Sequence, residues 1–260
     1  MSATVFGLGL VLAVVTAIRS IWSPCGLSML STITPLGEAG RGHEFRSTSR
    51  WFVVGSVAGG LTVGVVMAGL ALIVNRLGPN SGLVLGIIAA AALTTAASDG
   101  RVGGFHLPSH DRQVNERWLD QYRPWVYGAG FGWQIGVGLG TYIMTAGVYL
   151  LILLGGLTGD PWLAASLGAL FGLSRGLAVF LASGFDSTEK VLAFHERFES
   201  LREPVRRATI VTQALVAIAA AVIGGAVLLL LGAVLVAAGA TVAVGLRGPR
   251  EAVYLNATVS

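Results

Sequence analysis

The sequence predicts an all-α polytopic membrane bundle of six transmembrane helices, or seven, arranged as two inverted three-helix repeats. Three observations carry this expectation. Of 260 residues, 54% are hydrophobic and 12% charged, with mean hydropathy +0.75, well below the roughly 25% charge usual in soluble domains. Apolar runs near the ~20 residues needed to cross a bilayer recur along the chain. A tryptophan-led segment also recurs in the two halves, Trp22-Ser-Pro-Cys-Gly-Leu and Trp133-Gln-Ile-Gly-Val-Gly, with Cys25 and Gly136 each three residues past the tryptophan.

In chain order, the first span covers residues 4–36 and breaks at Ser23-Pro24. Proline lacks an amide proton and crowds the carbonyl four residues back, so a helix cannot run straight through it. A polar loop (37–50) precedes the second span (51–74), and Asn75-Arg76-Leu77-Gly78-Pro79 closes it as a turn. The third span is 82–97. A long polar loop, 98–124, leads to the fourth span at 125–154 and the fifth at 162–183. Residues 186–207 are charged but periodic, with Val191, Phe194, Phe198, Leu201 and Val205 at helical spacing. They predict an amphipathic helix on the membrane surface, capped by Asp186 and Glu189. Residues 208–246 are apolar throughout, enough for one tilted crossing, the reading preferred here, or for two helices hinged at Gly224-Gly225. The whole chain, 1–260, reads as one domain, with repeats at about 4–98 and 125–246.

Orientation follows from the basic residues. Twelve of the 17 Lys and Arg fall in the first, third and fifth loops, against Arg76 alone in the second and fourth. Positively charged loops stay cytoplasmic, which puts the N-terminus outside. The arginine bias and abundant Gly and Ala point to a bacterial cytoplasmic membrane. The basic residues are accounted for by insertion, and the net charge of +4 gives no reason to expect nucleic acid as a partner. The N-terminal run lacks a basic segment before it and reads as a retained helix, not a signal peptide. A single cysteine excludes any internal disulfide.

Several residues carry chemistry in this reading. Cys25 follows the helix-breaking Pro24, where its thiolate would be favoured by Arg19 or by a helix N-terminus; otherwise it is a buried small hydrophobe. Arg19 and Arg175 fall inside apolar spans with no acidic residue beside them. Such charges are costly at membrane depth and mark a site, a carbonyl partner, an anionic ligand or snorkelling to an interface. Gly128, Gly132, Gly136 and Gly140 recur every fourth residue, as do Gly168, Gly172 and Gly176. Small residues at that interval let helix backbones approach closely. Gln134 and Thr141 are candidates for a polar path. His106 and His110 have ligand-like spacing, but Pro108 interrupts them and no other ligand gathers, so neither a metal nor a cofactor is expected.

The residues around the two tryptophans resemble the membrane domain of the cytochrome c biogenesis thiol–disulfide transporters, the CcdA and DsbD type. Ser23-Pro24-Cys25 matches the first-helix motif of that family. Gly132-Trp133-Gln134-Ile135-Gly136-Val137-Gly138 matches the frame of its fourth-helix motif, Gly-Trp-Thr-Pro-Cys-x-Gly-Pro. The resemblance implies thiol–disulfide exchange and a thioredoxin-like redox partner. The departures are specific: Gly136 replaces the second cysteine, and Ile135 and Leu139 replace both prolines. One sulfur cannot resolve its own mixed disulfide, so the resemblance implies the scaffold, with Cys25 relying on a partner protein. The alternative is a small-solute transporter, with an anion as one candidate solute, whose path is lined by Arg19, Trp22, Pro24, Trp133, Gln134, Gly136 and Arg175. A structural subunit of a membrane complex, packing through its glycine faces, is a third expectation. Neither enzyme activity nor oligomeric state can be read from the sequence.

Overall fold

A computed structural model describes residues 2–108, 121–140 and 142–225. Every regular element among them is a helix: α1 (Ser2–Arg19), α2 (Pro24–Thr32), α3 (Pro35–Gly40), α4 (Phe45–Leu77), α5 (Ser81–Gly100), α6 (Pro124–Val137), α7 (Gly147–Leu157), α8 (Pro161–Leu177), α9 (Thr188–Ser200) and α10 (Arg202–Ile223). Five stretches are long and apolar enough to cross a membrane: Ser2–Trp22, Phe45–Leu77, Ser81–Gly100, Pro161–Gly184 and Arg202–Ile223.

The first helix breaks at the proline. α1 passes through a 3-10 turn, Ser20–Trp22, and Ser23 adopts an extended conformation. The Ser23 hydroxyl then caps α2 by accepting from the Gly26 amide at 3.2 Å, with Pro24 in the first helical position. Proline costs nothing there, because that amide has no partner in any helix. The device recurs eleven residues later, where Thr34 caps α3 ahead of Pro35. The first span therefore bends twice, and α4 starts six residues before the predicted boundary at Trp51.

The fourth span corrects the sequence reading more sharply. Residues 125–154 are not one helix but two half-helices, α6 and α7, neither long enough to span alone. α6 stops at Gly138, whose φ of +70° suits glycine and few other residues. Residues 139–140 and 142–146 are not helical, and α7 begins at Gly147.

The surface helix is also shorter than expected. Helix α9 ends at Ser200, and Arg202–Arg207 belong to the start of α10. Its cap is Ser187, which accepts from the Lys190 amide, rather than the Asp186/Glu189 pair. Asp186 instead holds Lys190 at 2.6 Å, and that ammonium keeps its carboxyl below the usual range. At the far end, Gly225 takes a φ of +67° just after α10. The choice between one crossing and two falls on residues outside those described.

Helix α4 is the hub, packing on α6 from Thr48 to Gly59, on α8 from Val53 to Gly64, and on α7 at Met67 and Leu70. Backbones meet there with no side chain between. A Cβ on Gly55, Gly59, Gly132 or Gly136 would lie under 3.0 Å from backbone of the opposing helix in the α4–α6 pair. The same holds for Gly60, Gly64, Gly168 and Gly172 in the α4–α8 pair. Helices in lipid gain little from burying apolar surface against one another, so this close approach is what holds them. Helix α5 packs on α10, and α1 touches α7, α8 and α10. Two clusters of buried side chains result. One joins Leu12, Met67, Ile88, Leu151, Leu167 and Ala217. The other gathers Trp22, Cys25, Phe52, Phe131, Ile135 and Phe198 around the first break.

Candidate functional site at the two helix breaks

At the two interruptions the Ser20 carbonyl accepts a turn bond from the Ser23 amide at 3.2 Å and the Ile135 carbonyl one from the Gly138 amide at 3.1 Å, and each has a second lone pair to fill in the apolar interior. One side chain serves both. Arg175, on α8 and only 2% exposed, donates from Nη1 to the Ile135 carbonyl at 2.6 Å and from Nη2 to the Ser20 carbonyl at 3.4 Å. Ser20 lies in the 3-10 turn before Pro24, and Ile135 lies in the last turn of α6. The guanidinium therefore ties the two breaks together. Its carbon also sits 5.7 Å from the Phe171 ring centroid, a cation–π contact.

Cys25 is the second residue of α2, at that helix's positive end, and is 1% exposed. The charge interacting electrostatically with it is Arg175. Arg19, expected beside the thiol, lies instead among Arg202, Asp99, Arg206 and Glu203. The absence of an acidic residue near Arg19 is likewise corrected. Asp99 closes α5, accepting from the Ala146 amide at 2.7 Å, the Gln213 amide group at 2.8 Å and the Thr145 hydroxyl.

A lid covers the thiol cluster. Trp22 stacks on Phe198 of α9 with centroids 4.1 Å apart and planes within 5°. Its indole Nε1 donates to the Phe198 carbonyl at 2.9 Å. Phe194 stacks on Phe198 in turn. Helix α9 is thus docked on the protein through its aromatic face.

The remaining predicted residues separate. Trp133 is 45% exposed and donates outward to Thr62 Oγ1 at 3.1 Å, so it does not share the space around Trp22. Gly136, aligned with the missing cysteine, presses on the Ser56 backbone of α4; its neighbour Ile135 is the residue that joins the Cys25 cluster. Gln134 is half-buried. Gly128, Gly132, Gly168, Gly172 and Gly176 abut α4. Gly140 falls beyond the end of α6, where a Cβ would meet only Val137 at 3.7 Å, and it drops out of the packing row. Thr141 and His110 lie outside the described residues, among which no cluster of metal-ligating side chains occurs.

Sequence reasoning missed Glu38. It reads as part of a polar loop, yet it is fully buried. Its carboxylate accepts from Arg41 at 2.8 Å, from the Tyr127 hydroxyl and from the Thr48 hydroxyl. Glu38 in this way fastens α3 to the starts of α4 and α6.

The fold and site together define a helical bundle of membrane-spanning length and apolarity, with two interrupted helices meeting at a buried arginine beside a sole thiol. The chain is similar to the methylamine utilization protein MauF of Paracoccus denitrificans, 31% identical over 175 residues, or 64% of this chain and 60% of that protein. The MauF proteins of Paracoccus versutus (29% over 161 residues, 62% and 59%) and Methylobacillus flagellatus (31% over 193 residues, 69% and 64%) are similar as well. The chain spans about six-tenths of the length of these relatives. No family model and no solved structure matches it.

Proposed function

We propose that this chain is a membrane-embedded accessory protein of methylamine utilization, built on a scaffold like that of the CcdA and DsbD transporters, with Cys25 as its working thiol. The observation that carries the reading is the junction at Arg175, where two broken helices meet next to the only cysteine. The contacts support an inverted repeat of six crossings, counting α6 and α7 as one interrupted span. Helix α1 touches α8 as α6 and α7 touch α4; α1 touches α10 as α7 touches α5. Exchanging the halves turns these contacts into one another, whereas the α6–α8 and α7–α8 contacts have no comparable α1–α4 counterpart. The basic loops support a cytoplasmic placement of the α9 end and an external N-terminus.

The chemistry needs two partners. The Cys25 thiolate attacks a partner disulfide; that S–S bond breaks, a mixed disulfide forms, and the partner's other sulfur leaves as thiolate. A dithiol from a thioredoxin-like protein then attacks the partner's sulfur, releasing Cys25 unchanged, and its second thiol completes the exchange. Two electrons pass from dithiol to disulfide, and Cys25 is regenerated. The α9 lid must move for either step, because the sulfur is covered.

Complementation tests this. In a strain lacking the gene, growth on methylamine should fail, returning with the wild-type chain but not with Cys25→Ser. Undiminished growth of the deletion strain would overturn the methylamine assignment. Full rescue by Cys25→Ser would overturn the role of the thiol.

A further inference from the structure

Away from Cys25, a cavity of about 740 Å³ opens between the ends of α1, α5 and α10 and the irregular segment before α7. Its charged lining is Arg19, Arg101, Arg202 and Arg206 against Asp99 and Glu203. Both carboxylates are already engaged. Asp99 is held by Thr145, the Ala146 amide and Gln213, and Glu203 by Arg206 and Arg207. Arg19 is 5% exposed, and its Nη1 has no hydrogen-bond partner. Four buried side-chain polar atoms among the described residues lack one, and three of them gather here: Arg19 Nη1, Thr16 Oγ1 one turn earlier, and Gln213 Oε1 on the side chain that holds Asp99. Thr16 and Gln213 both flank Gly147, next to Ala146 of the lining.

A buried guanidinium nitrogen without a hydrogen-bond partner is expensive, and four arginines facing two engaged carboxylates around one cavity draw negative charge. The planar fork of an arginine matches two oxygens of one group. We propose that this cavity binds a small oxyanion, a carboxylate or phosphate group, on Arg19, with Arg101 on the same lining; Arg202 is paired with Glu199 at 2.7 Å and Arg206 with Glu203. Such a group could be carried by a free solute or by the headgroup of an anionic lipid. The site is independent of Cys25, so Cys25→Ser should bind as wild type does.

The test uses the full chain in phosphatidylcholine nanodiscs, following the thermal midpoint while inorganic phosphate or acetate is titrated against chloride at equal ionic strength. A parallel arm replaces the lipid with phosphatidylglycerol. The wild type should gain stability saturably from phosphate or acetate, or on transfer to phosphatidylglycerol; the first outcome marks a free oxyanion and the second a lipid phosphate. Arg19→Gln should weaken that response at least tenfold, while Arg76→Gln, at an exposed residue near the end of α4 and outside the lining, should keep it. If Arg19→Gln does not fold, the exposed Arg101→Gln decides, with a weaker response expected. Responses equal in wild type, Arg19→Gln and Arg101→Gln, or no response in any arm, would overturn the proposal.

Discussion

Arg175 reaches across the bundle to the carbonyl of Ile135 at 2.6 Å, and the same guanidinium meets Ser20 on the other side. A charge that looks out of place in an apolar span thereby gives a second hydrogen bond to a carbonyl at each of the two helix interruptions. The interior contains other carbonyls, but these two sit where a helix has lost its regular ladder.

Removing that donor should be costly. Arg175→Met strips the charged donor from two buried carbonyls, each of which keeps its backbone bond from Ser23 or Gly138. Hydrogen bonds to a charged group contribute about 1.5–3 kcal/mol, and the unfolding midpoint of the detergent-solubilised chain should fall below wild type. Arg175→Gln, which can still donate to one of them, should fall between. Equal stability of all three chains would refute the bridging role.

The glycine rows make a position-specific prediction. Gly132→Ala places a methyl under 3.0 Å from the Phe52 backbone, whereas Gly140→Ala meets nothing nearer than 3.7 Å. Overpacking of this kind costs about 1–3 kcal/mol. Thermal melts should separate the two variants, with Gly140→Ala indistinguishable from wild type.

Glu38→Gln keeps the shape of the side chain and removes its charge. The bonds from Arg41, Tyr127 and Thr48 lose their ionic assistance, worth about 1.5–3 kcal/mol for a charged group. Destabilisation in that range is expected by denaturant titration, and Tyr127→Phe should cost less because the other two donors remain.

The lid over the thiol is testable through the thiol itself. Phe198→Ala removes a stacked partner of Trp22; such pairs contribute about 0.5–1.5 kcal/mol beyond buried area. Alkylation of Cys25 by a maleimide should accelerate up to about tenfold, the factor that about 1.4 kcal/mol represents. With one cysteine in the chain, the labelled fraction reads directly as opening. An unchanged rate would show that α9 does not gate access.

Much of the architecture is legible in the sequence because its signals are local. Pro24 breaks the first helix wherever it is placed, and apolar length alone marks the long spans. The second break is hidden for the opposite reason. Gly140 continues a row of glycines that reads as a packing face, and only the backbone shows that Gly138 ends the helix before it. Glu38 and Asp99 escape notice because each lies among polar loop residues; burial comes from donors distant in sequence, Tyr127 for one and Gln213 for the other. The tryptophan echo misleads at the side-chain level. Trp22 turns in to meet Phe198 and Trp133 turns out to Thr62, a difference set by neighbours that no short motif encodes.

The most direct test of the thiol's role is capture in living cells. Acid quenching and alkylation, followed by non-reducing electrophoresis, should reveal a Cys25-dependent adduct that collapses on reduction and is absent from Cys25→Ser. A folded wild-type chain that stays monomeric on that gel, with Cys25 alkylated as the free thiol under every growth condition, would contradict the account.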